Sequence, residues 1–351
     1  MEVLAARVDH FRNITSAELN FQRRNLLVGP NGAGKTSCAE AIAVALNGHS
    51  FRTSEMQMLV QRGSEYWRTE ATISLTDRIP HRIVMSGSHR QRERVQLDER
   101  NVRVAQLGAR FPVVIFVPED RDLVVGQPSA RREYLDGILG RSDPGIQRIL
   151  SRATKILKQR QNLIRSGRPD KVSLDIFDSE LAKASIAVAV AREHLLGYLQ
   201  IAVEQFNQGI SGTSEAVSLR YVRSWNEDPL EDLIQARVDD IRKGTTSIGF
   251  HRDDFIIELN GMPAKLTASQ GQVRSLAVAL RIGSAGVLER KLGEAPILIL
   301  DDVFAEFDRE RAMRLIDLVD RYQTFATNTE RVASLDGWSV FEVNGGVVVP
   351  T

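Results

Sequence analysis

Gly29-Pro30-Asn31-Gly32-Ala33-Gly34-Lys35-Thr36 decides the fold, because it matches the G-x-x-x-x-G-K-[ST] pattern of a phosphate-binding loop. Residues 25–28 in front of it predict a short buried strand, and residues 37–46 behind it predict a helix with an apolar face. The glycines let backbone N–H groups turn toward a phosphate, and the helix N-terminus adds partial positive charge there. We therefore expect Lys35 to reach the β- and γ-phosphates of a nucleotide and the Thr36 hydroxyl to ligate Mg²⁺.

The composition is that of an ordinary globular protein, with 42% hydrophobic and 26% charged residues in a chain of 351. The formal net charge is only +1, so any attraction for DNA has to be local. The single cysteine, Cys38, excludes an intrachain disulfide, and we expect it to be a buried core residue. Because the N-terminus lacks signal-peptide features and no apolar run approaches the length of a membrane span, we expect a cytoplasmic protein with no membrane contact.

The texture of the sequence changes twice, which predicts three segments. Residues 1–118 hold the P-loop and a β-rich region and form the N-terminal part of a head. Residues 119–210 are predicted to be a helical arm, and residues 211–351 return to strands and helices as the C-terminal part of the head. The arm is therefore expected to be an insertion in an α/β unit.

Two long helices are predicted within the arm. The first covers residues 131–165, and the second covers residues 174–206. Apolar positions of the second helix alternate by three and four residues, as in a coiled coil. Because only the short turn at residues 166–170 joins them, we expect the two helices to run antiparallel.

Three shorter elements are also predicted. The continuous apolar run Val113–Val117 indicates a buried central strand. Ser54 is expected to cap a short helix that ends near Leu59. Asn260-Gly261 indicates a hairpin turn, with a second strand at residues 262–266.

The stretch Pro296-Ile297-Leu298-Ile299-Leu300-Asp301-Asp302 predicts the second half of a nucleotide site, a dry strand that ends in two carboxylates. We expect Asp301 to hold Mg²⁺ through water and Asp302 to act as general base on the attacking water. The alternative is a strand that ends in two solvated acids, which leaves the P-loop without its second half.

Ser269-Gln270-Gly271-Gln272 opens a predicted helix and is a candidate anion-binding segment, although a serine at a helix N-terminus is also an ordinary cap. Its place between the P-loop and the Asp301 strand gives the order found in ABC-type ATPase heads. Such heads close a nucleotide between the P-loop of one subunit and the Ser-Gly-Gln segment of another, so a symmetric dimer holds two nucleotides. The predicted fold is therefore α/β, an ABC-type P-loop ATPase head with an inserted antiparallel helical arm that forms a second, mainly helical lobe.

The sequence resembles the RecF family of bacterial DNA replication and repair proteins, in the ABC/SMC ATPase group, over nearly its whole length. The blocks that carry the resemblance are Phe11-Arg12-Asn13, Gly29–Thr36, Ser50-Phe51-Arg52, Pro118-Glu119-Asp120, Arg131-Arg132, His251-Arg252-Asp253-Asp254, Ser269–Gln272 and Leu300-Asp301-Asp302-Val303. The resemblance implies that ATP is the nucleotide.

The resemblance also assigns site residues, which fall into four groups. It implies that ATP is bound by Gly29, Pro30, Asn31, Gly32, Ala33, Gly34, Lys35, Thr36 and Ser37. A second subunit would cap ATP with Ser269, Gln270, Gly271 and Gln272. Mg²⁺ would be held by Thr36 and Asp301, and catalysis would rest on Lys35, Asp301 and Asp302.

The function that the resemblance implies is recombinational gap repair. Such a protein dimerises on ATP, binds duplex DNA beside a single-stranded gap, and promotes RecA loading with RecR and RecO in DNA repair, replication and the SOS response. Asp302 stands where transporter ATPases carry the longer Glu, so we expect slow hydrolysis of ATP. The resemblance to a DNA-binding family implies that DNA stimulates this hydrolysis. The switch histidine of many ABC ATPases is not evident, and Thr327-Asn328-Thr329 follows the strand in its place.

Local positive charge supports DNA binding. Residues 78–110 contain eight arginines against three acids, a balance of +5. Further candidates for contact with phosphates are Arg52, Arg131, Arg132, Lys155, Lys158 and Arg160. For any one of them, a solvated charge on a helix or strand is the simpler explanation.

Two rival functions share these motifs. The ATPase subunit of a transporter would also carry a P-loop, a Ser-Gly-Gln segment and an Asp-bearing strand, but the heptad arm argues against it. The second rival is an ATP-gated DNA scaffold whose hydrolysis is vestigial, and a turnover measurement would distinguish it from an ATPase.

Overall fold

The computed structural model describes residues 1–166, 169–331, 335 and 337–351. Gly167 and Arg168, within the predicted turn at 166–170, lie outside the described residues. The chain forms two compact units, of which the first comprises Met1–Asp120, Gln205–Ser214 and Arg274–Thr351, and the second comprises Arg121–Glu204 and Glu215–Val273.

The strands of the described residues are, in chain order, β1 (Glu2–Phe11), β2 (Ile14–Asn20), β3 (Arg24–Val28), β4 (Tyr66–Ser74), β5 (Pro80–Ser88), β6 (Arg94–Leu97), β7 (Arg100–Asn101), β8 (Val113–Phe116), β9 (Val217–Val222), β10 (Asp254–Leu259), β11 (Met262–Pro263), β12 (Ile297–Leu300), β13 (Thr324–Asn328), β14 (Ser339–Asn344) and β15 (Val347–Pro350). The helices are α1 (Lys35–Asn47), α2 (Val104–Arg110), α3 (Asp122–Val125), α4 (Pro128–Ser142), α5 (Pro144–Arg165), α6 (Lys171–Ser211), α7 (Pro229–Lys243), α8 (Ala264–Thr267), α9 (Gln270–Leu292) and α10 (Arg309–Val319).

Residues 215–273 lie in the second unit, whereas the sequence placed them with the C-terminal part of the head. Their strand β10 packs against helix α4 of the arm, where the rings of Tyr134 and Phe255 lie 6.5 Å apart. An ion pair between Arg131 and Asp254 joins the same two elements. These contacts are long-range, so a change of sequence texture does not reveal them.

One sheet of the first unit is antiparallel, in the order β2-β1-β4-β5-β6-β7. Strand β4 shows why, because its buried and partly exposed residues alternate strictly from Trp67 to Ile73. Trp67 and Ile73 face the core, and the opposite face carries charged residues such as Arg68 and Glu70.

The second sheet of the first unit positions the candidate site, in the order β15-β14-β3-β13-β12-β8. Strands β14, β3, β13, β12 and β8 are parallel, and β15 is an antiparallel edge. The P-loop follows β3, Asp301 follows β12, and β13 lies between them. Because the carboxyl ends of parallel strands meet at one edge of a sheet, the P-loop and Asp301 are brought together there.

Strand β8 is an edge strand, so the prediction of a central strand at Val113–Val117 was wrong. Its residues Val113, Val114 and Phe116 are nevertheless buried. A continuous apolar run indicates burial of both faces of a strand, and it carries no information about the order of strands.

Helix α1 begins within the P-loop, at Lys35, and is buried on nearly all sides. It ends at Gly48, whose φ of 76° allows the chain to turn away. Cys38 on this helix is buried, as predicted, and burial raises the pKa of its thiol to about 12. Such a thiol stays protonated and unreactive near neutral pH.

The first arm helix is broken, so the prediction of one helix over residues 131–165 was wrong. Helix α4 ends at Ser142 and α5 begins at Pro144. Asp143 between them has an extended backbone, which the following proline favours, and its carboxylate accepts the N–H group of Gly145 at 2.7 Å.

The second arm helix, α6, has 41 residues, and its buried face includes Leu174, Leu181, Val188 and Leu195 of the predicted coiled-coil seam. Tyr198 of that seam is 47% exposed, whereas Asp178, Ser185 and Arg192 are buried. These polar residues are buried because they have partners, Arg160, the Phe250 N–H group and Asp136.

Helix α6 is also long and apolar enough to cross a membrane by length and composition. A core helix passes the same test, and one such helix is weak support for a span. The buried, ion-paired Asp178 and Arg192 favour the core helix, because charges in a lipid bilayer are costly.

Two shorter predictions were also wrong. The helix before Val60 is a single 3₁₀ turn, Met56–Leu59, which starts after Glu55 and has no side-chain cap from Ser54. After the Asn260-Gly261 turn, the strand covers only Met262–Pro263, and α8 follows. Pro263 has no N–H group to continue a strand ladder.

Candidate nucleotide-binding site

The P-loop is shaped by glycines that no larger residue can replace. A Cβ atom at Gly29 would lie 2.1 Å from the carbonyl oxygen of Val343. Gly34 has a φ of 119°, and a Cβ atom there would lie 2.9 Å from Nδ2 of Asn13. Asn13 also donates to the Gly32 carbonyl oxygen at 3.3 Å, so the loop is tied to the turn after β1.

Lys35 lies inside the loop and is only 5% exposed. Its Nζ atom donates to the carbonyl oxygens of Gly29 at 2.9 Å and Pro30 at 3.2 Å. No carboxylate pairs with Lys35 among the ion pairs of the described residues. The P-loop therefore holds a buried positive charge that has only neutral partners, next to the N-terminus of α1.

Asp301 joins the P-loop to the distant β12 strand. The Thr36 hydroxyl donates to its carboxylate, with 2.9 Å to Oδ1 and 3.1 Å to Oδ2. The Thr327 hydroxyl donates to Oδ1 at 2.7 Å. Asp301 is only 6% exposed, and its own N–H group donates to the Phe116 carbonyl oxygen at 2.9 Å. Residues that are 265 positions apart thus form one site.

Burial raises the pKa of Asp301, while the hydrogen bonds from Thr327 and Thr36 act against this rise. Neutral hydroxyls stabilise a buried carboxylate less than a cation does. A hydroxyl beside a carboxylate is the pair of ligands that holds Mg²⁺ at a P-loop. Within the described ranges, no group of three or more His, Cys, Asp or Glu forms a site of its own, so phosphate oxygens and water would complete the coordination.

Asp302 has an unusual backbone, with a φ of 50° in the left-handed region. This conformation costs about 1 kcal/mol or more for a residue other than glycine. Its N–H group donates to Oγ1 of Thr327 at 2.9 Å, and its Oδ1 atom is buried without a hydrogen-bond partner in the described structure. Asp302 as a residue is only partly buried, so its carboxylate remains a candidate to receive a proton from water.

The two sequence blocks Phe11-Arg12-Asn13 and Ser50-Phe51-Arg52 meet at Glu40, a fully buried carboxylate on α1. Arg12 donates to its two oxygens at 2.8 and 3.1 Å, and Arg52 donates at 3.3 Å. Ser50 completes the cluster with a short hydrogen bond to Oε1. Sequence reasoning missed Glu40, and a lone acid inside an otherwise apolar helix was the available signal.

The Ser269–Gln272 segment, in the second unit, forms a reciprocal cap at the start of α9. The Ser269 N–H group donates to Oε1 of Gln272 at 2.7 Å, and Oγ of Ser269 accepts from the Gln272 N–H group at 3.3 Å. Gln272 also donates to Glu215 at 2.6 Å. Ser269 and Gln270 remain exposed, so these two residues are accessible to another molecule.

The residues predicted to contact DNA have different environments. Lys155 and Lys158 are exposed on α5, and the arginines between residues 78 and 110 are all exposed. Arg52 is exposed but bound to Glu40. Arg131 is buried and paired with Asp254, and Arg132 is half-buried and donates to the Asp253 carbonyl oxygen at 2.8 Å.

Arg160 is fully buried between Asp178 and Asp240, so it has a structural role in this conformation. The contacts of Arg131 and Arg132 within the second unit also favour a structural role. Their contact with DNA stays a prediction.

Comparison with known proteins gives one consistent group. A family model described as the RecF/RecN/SMC N terminal domain matches residues 3–329. The DNA replication and repair protein RecF of Heliobacterium modesticaldum is 32% identical over 345 residues, which are 94% of this chain and 92% of that relative. The protein of the same name from Bacillus subtilis is 31% identical and covers 93% of this chain and 92% of its own length.

Solved structures give the same result. The recombination mediator protein RecF with ATPrS, in the RecFOR pathway, has a TM-score of 0.90 at 28% identity, over 99% of this chain and 98% of that one. RecF with ATP has a TM-score of 0.88 at 27% identity, over 100% of this chain and 99% of that one. An Smc head bound to the C-terminal winged-helix domain of ScpA is 15% identical with a TM-score of 0.61 over 100% of this chain and 98% of that one, so it supports the fold alone. The predicted ABC/SMC-type head is confirmed.

Proposed function

Because this chain belongs to the RecF family of DNA replication and repair proteins, within the ABC/SMC ATPase group, we propose that it is an ATP-dependent DNA-binding protein of recombinational gap repair. It binds ATP with Mg²⁺, dimerises, and clamps duplex DNA near a junction with single-stranded DNA. With RecR and RecO as partners it promotes RecA loading, and slow, DNA-stimulated ATP hydrolysis releases it. We place this activity in the cytoplasm.

The observation that carries this proposal is the hydrogen bond that the Thr36 hydroxyl donates to the Asp301 carboxylate, shared between its two oxygens. This contact joins the phosphate-binding loop to an acid, Asp301, at the end of the separate strand β12. A phosphate-binding loop alone explains binding of a nucleotide, and the added acid supports hydrolysis.

Each residue of the site has a proposed task. The N–H groups of the P-loop and the Lys35 ammonium bind the β- and γ-phosphates, which supply the negative charge that this buried cation lacks. Thr36 and Asp301 hold Mg²⁺, which neutralises charge on the phosphate oxygens when it is bound. Asp302 accepts the proton of the attacking water.

The second copy of the chain completes the site in this proposal. Its exposed Ser269 and Gln270 and the first N–H groups of α9 approach the γ-phosphate from the other side. ATP is then bound by residues of both subunits and holds the dimer together, and its hydrolysis weakens the dimer. The grip on DNA depends on ATP for this reason.

For DNA, we propose that exposed basic residues contact phosphates collectively. The surface arginines between residues 78 and 110, together with Lys155 and Lys158, are the candidates that are accessible, except that Glu70 holds Arg82. Arg52 is a weaker candidate because Glu40 holds it. A protein that recognises a DNA junction through the sugar-phosphate backbone needs no side chains that contact the edges of the bases.

A second candidate function is an ATP-gated DNA scaffold without effective hydrolysis. The short side chain of Asp302 favours it, since the carboxylate has one methylene less than Glu to reach a water molecule. Turnover of the wild type against Lys35→Met and Asp302→Asn separates the two functions. An ATPase loses turnover in both variants, whereas a scaffold shows no turnover difference from either variant.

The test of the proposed function is the molecular mass of the protein with and without ATP and Mg²⁺, in the presence of gapped duplex DNA. We expect a monomer without nucleotide and a DNA-bound dimer with ATP. Lys35→Met should stay monomeric in both conditions. A wild-type monomer in every condition would contradict the shared site.

A further inference from the structure

Thr327 lies at the carboxyl end of β13, the strand between the P-loop strand β3 and the Asp301 strand β12. In the two ladders, Ala326 pairs with Leu300 and Thr327 pairs with Leu27. The side chain of Thr327 is therefore at the level where both neighbouring strands deliver their functional residues. It is fully buried, so it cannot be a direct contact for solvent or DNA.

The Thr327 hydroxyl has two partners in the site. Its Oγ1 atom lies 2.7 Å from Oδ1 of Asp301 and 2.9 Å from the backbone nitrogen of Asp302. A carboxylate oxygen can only accept, and an N–H group can only donate. The hydroxyl therefore donates a hydrogen bond to the Asp301 carboxylate and accepts one from the backbone N–H group of Asp302. It acts as donor and as acceptor at the same time.

These two bonds fix different degrees of freedom. The bond to Oδ1 orients the carboxylate of Asp301 toward the Thr36 hydroxyl, which lies 2.9 Å from the same oxygen. The bond from the Asp302 N–H group stabilises a backbone with a φ of 50°, which is unfavourable for an aspartate. The direction of the Asp302 side chain depends on that backbone conformation.

We propose that Thr327 is a positioning residue, whose hydroxyl holds Asp301 in place for Mg²⁺ and Asp302 in place for the attacking water. This inference rests on the proposed ATPase function of the same site. The alternative is that Thr327, at the end of β13, contacts the nucleotide itself. Thr327 acts through the two acids, and a fully buried side chain with both partners satisfied has no free group for a phosphate.

The test compares Thr327→Val with two other variants. Valine has the same shape but no hydroxyl, so it removes both hydrogen bonds at once. Thr327→Ser keeps the hydroxyl and loses only a methyl group. Thr324→Val is the matched control, because Thr324 is buried on the same strand and its hydroxyl only approaches the Tyr322 carbonyl oxygen, at 3.3 Å.

Three quantities are measured below the melting temperature of each variant: ATP affinity in EDTA, the Mg²⁺ concentration for half-maximal ATP binding, and kcat. For Thr327→Val we expect unchanged affinity in EDTA, a Mg²⁺ requirement raised ~10-fold and kcat lowered ~10- to 100-fold, since residues that orient metal ligands have effects of this size. Hydrogen exchange of the backbone around Asp302 should also become faster. Thr327→Ser should be within about threefold of wild type, and Thr324→Val should change none of these quantities.

The proposal is overturned if Thr327→Val has the Mg²⁺ requirement and kcat of the wild type while only its melting temperature falls, because Thr327 is then structural. It is also overturned if Thr327→Ser is as defective as Thr327→Val, since the methyl group and not the hydroxyl then matters. Wild-type protein whose ATP binding does not respond to Mg²⁺ would instead contradict the proposed function, and this inference with it.

Discussion

The nucleotide edge of the first unit and the arm helices α4–α6 of the second unit both bury charged side chains, but they neutralise them differently. In the arm, Arg160 pairs with Asp178 and also with Asp240 of helix α7, and Arg192 pairs with Asp136. At the nucleotide edge, the buried Lys35 and Asp301 form their hydrogen bonds with carbonyls and hydroxyls. The second unit supplies opposite charges for these buried arginines, whereas the nucleotide edge, as far as the structure describes the chain, offers Lys35 no paired anion and Asp301 no hydrogen-bonded cation.

This difference separates structure from function in a chain with many charges. A buried charge is costly unless an opposite charge or good hydrogen bonds compensate it. Where the protein supplies the opposite charge, the pair holds the fold together. Where it supplies only neutral groups, a ligand of the right charge gains binding energy, and ATP with Mg²⁺ has both charges that are missing.

The largest expected effect is a loss of stability when a buried charge of the arm is removed. Arg160→Met removes one cation and leaves Asp178 and Asp240 buried, so the free energy of unfolding should fall by about 3–5 kcal/mol. Urea denaturation measures it. The control is Arg152→Met, which removes an exposed pair with Glu180 and should cost less than about 1 kcal/mol. Equal losses in both variants would mean that burial does not distinguish these pairs.

The next effect concerns the nucleotide edge. Asp301→Asn removes a buried charge whose hydrogen-bond partners are neutral hydroxyls, so the nucleotide-free protein should be as stable as the wild type within about 1 kcal/mol. Turnover should nevertheless fall at least ~100-fold, because the proposed Mg²⁺ ligand is lost. Thermal unfolding and an ATPase assay on the same sample check both halves. A strongly destabilised Asp301→Asn would show that Asp301 is structural, like the acids of the arm.

A smaller effect is a loss of stability in acid that comes from His251. Burial, with help from the nearby Arg252, Arg132 and Arg160, lowers the pKa of His251 to about 4. Its Nε2 atom donates to the Thr246 carbonyl oxygen at 2.9 Å, and its Nδ1 atom is buried without a partner in the described part of the chain.

The unfolded chain binds a proton at this histidine below pH ~6.5, whereas the folded chain resists it until about pH 4. Stability is therefore lost as the pH falls through this window, by at most about 3 kcal/mol. Urea midpoints at pH 7 and pH 5 measure the loss, and His251→Gln should reduce it. Exposed His89 gives the control variant, and an unchanged pH dependence in His251→Gln would contradict the assignment.

The smallest effect concerns charges that are exposed and therefore weakly coupled to the fold. Replacing Arg90, Arg92 and Arg94 by Glu should leave the free energy of unfolding within about 0.5 kcal/mol of the wild-type value. If these residues bind DNA phosphates, the slope of log affinity against log salt should decrease by ~1 for each arginine that binds a phosphate in the wild type. A slope equal to that of the wild type would remove this surface from the proposed DNA site.

The sequence predicted individual strands and turns well because the information for them is local. The P-loop, the strands around Leu27 and Leu298, and the hairpin turn at Asn260-Gly261 each depend on neighbouring residues in the chain. The break at Asp143-Pro144 was also written in the sequence, in the form of a proline that the periodicity of the arm concealed.

What the sequence could not predict depends on contacts between distant residues. The edge position of β8 follows from strand order, which a single apolar run does not encode. The buried face of α6 includes Asp178 and Arg192 only because Arg160 and Asp136 meet them from other helices. The same holds for Arg131, whose burial depends on Asp254, 123 positions away.

The measurement that tests the shared nucleotide site most directly is complementation between two inactive variants. Lys35→Met destroys the P-loop of its own subunit, and Ser269→Arg blocks the segment that caps ATP in the other subunit. A mixed dimer has one site with an intact Lys35 and an intact Ser269, so mixing the two variants should restore ATP turnover to ~25% or more of the per-subunit wild-type rate. Turnover of the mixture no higher than that of the separate variants would contradict a site shared between two copies of the chain.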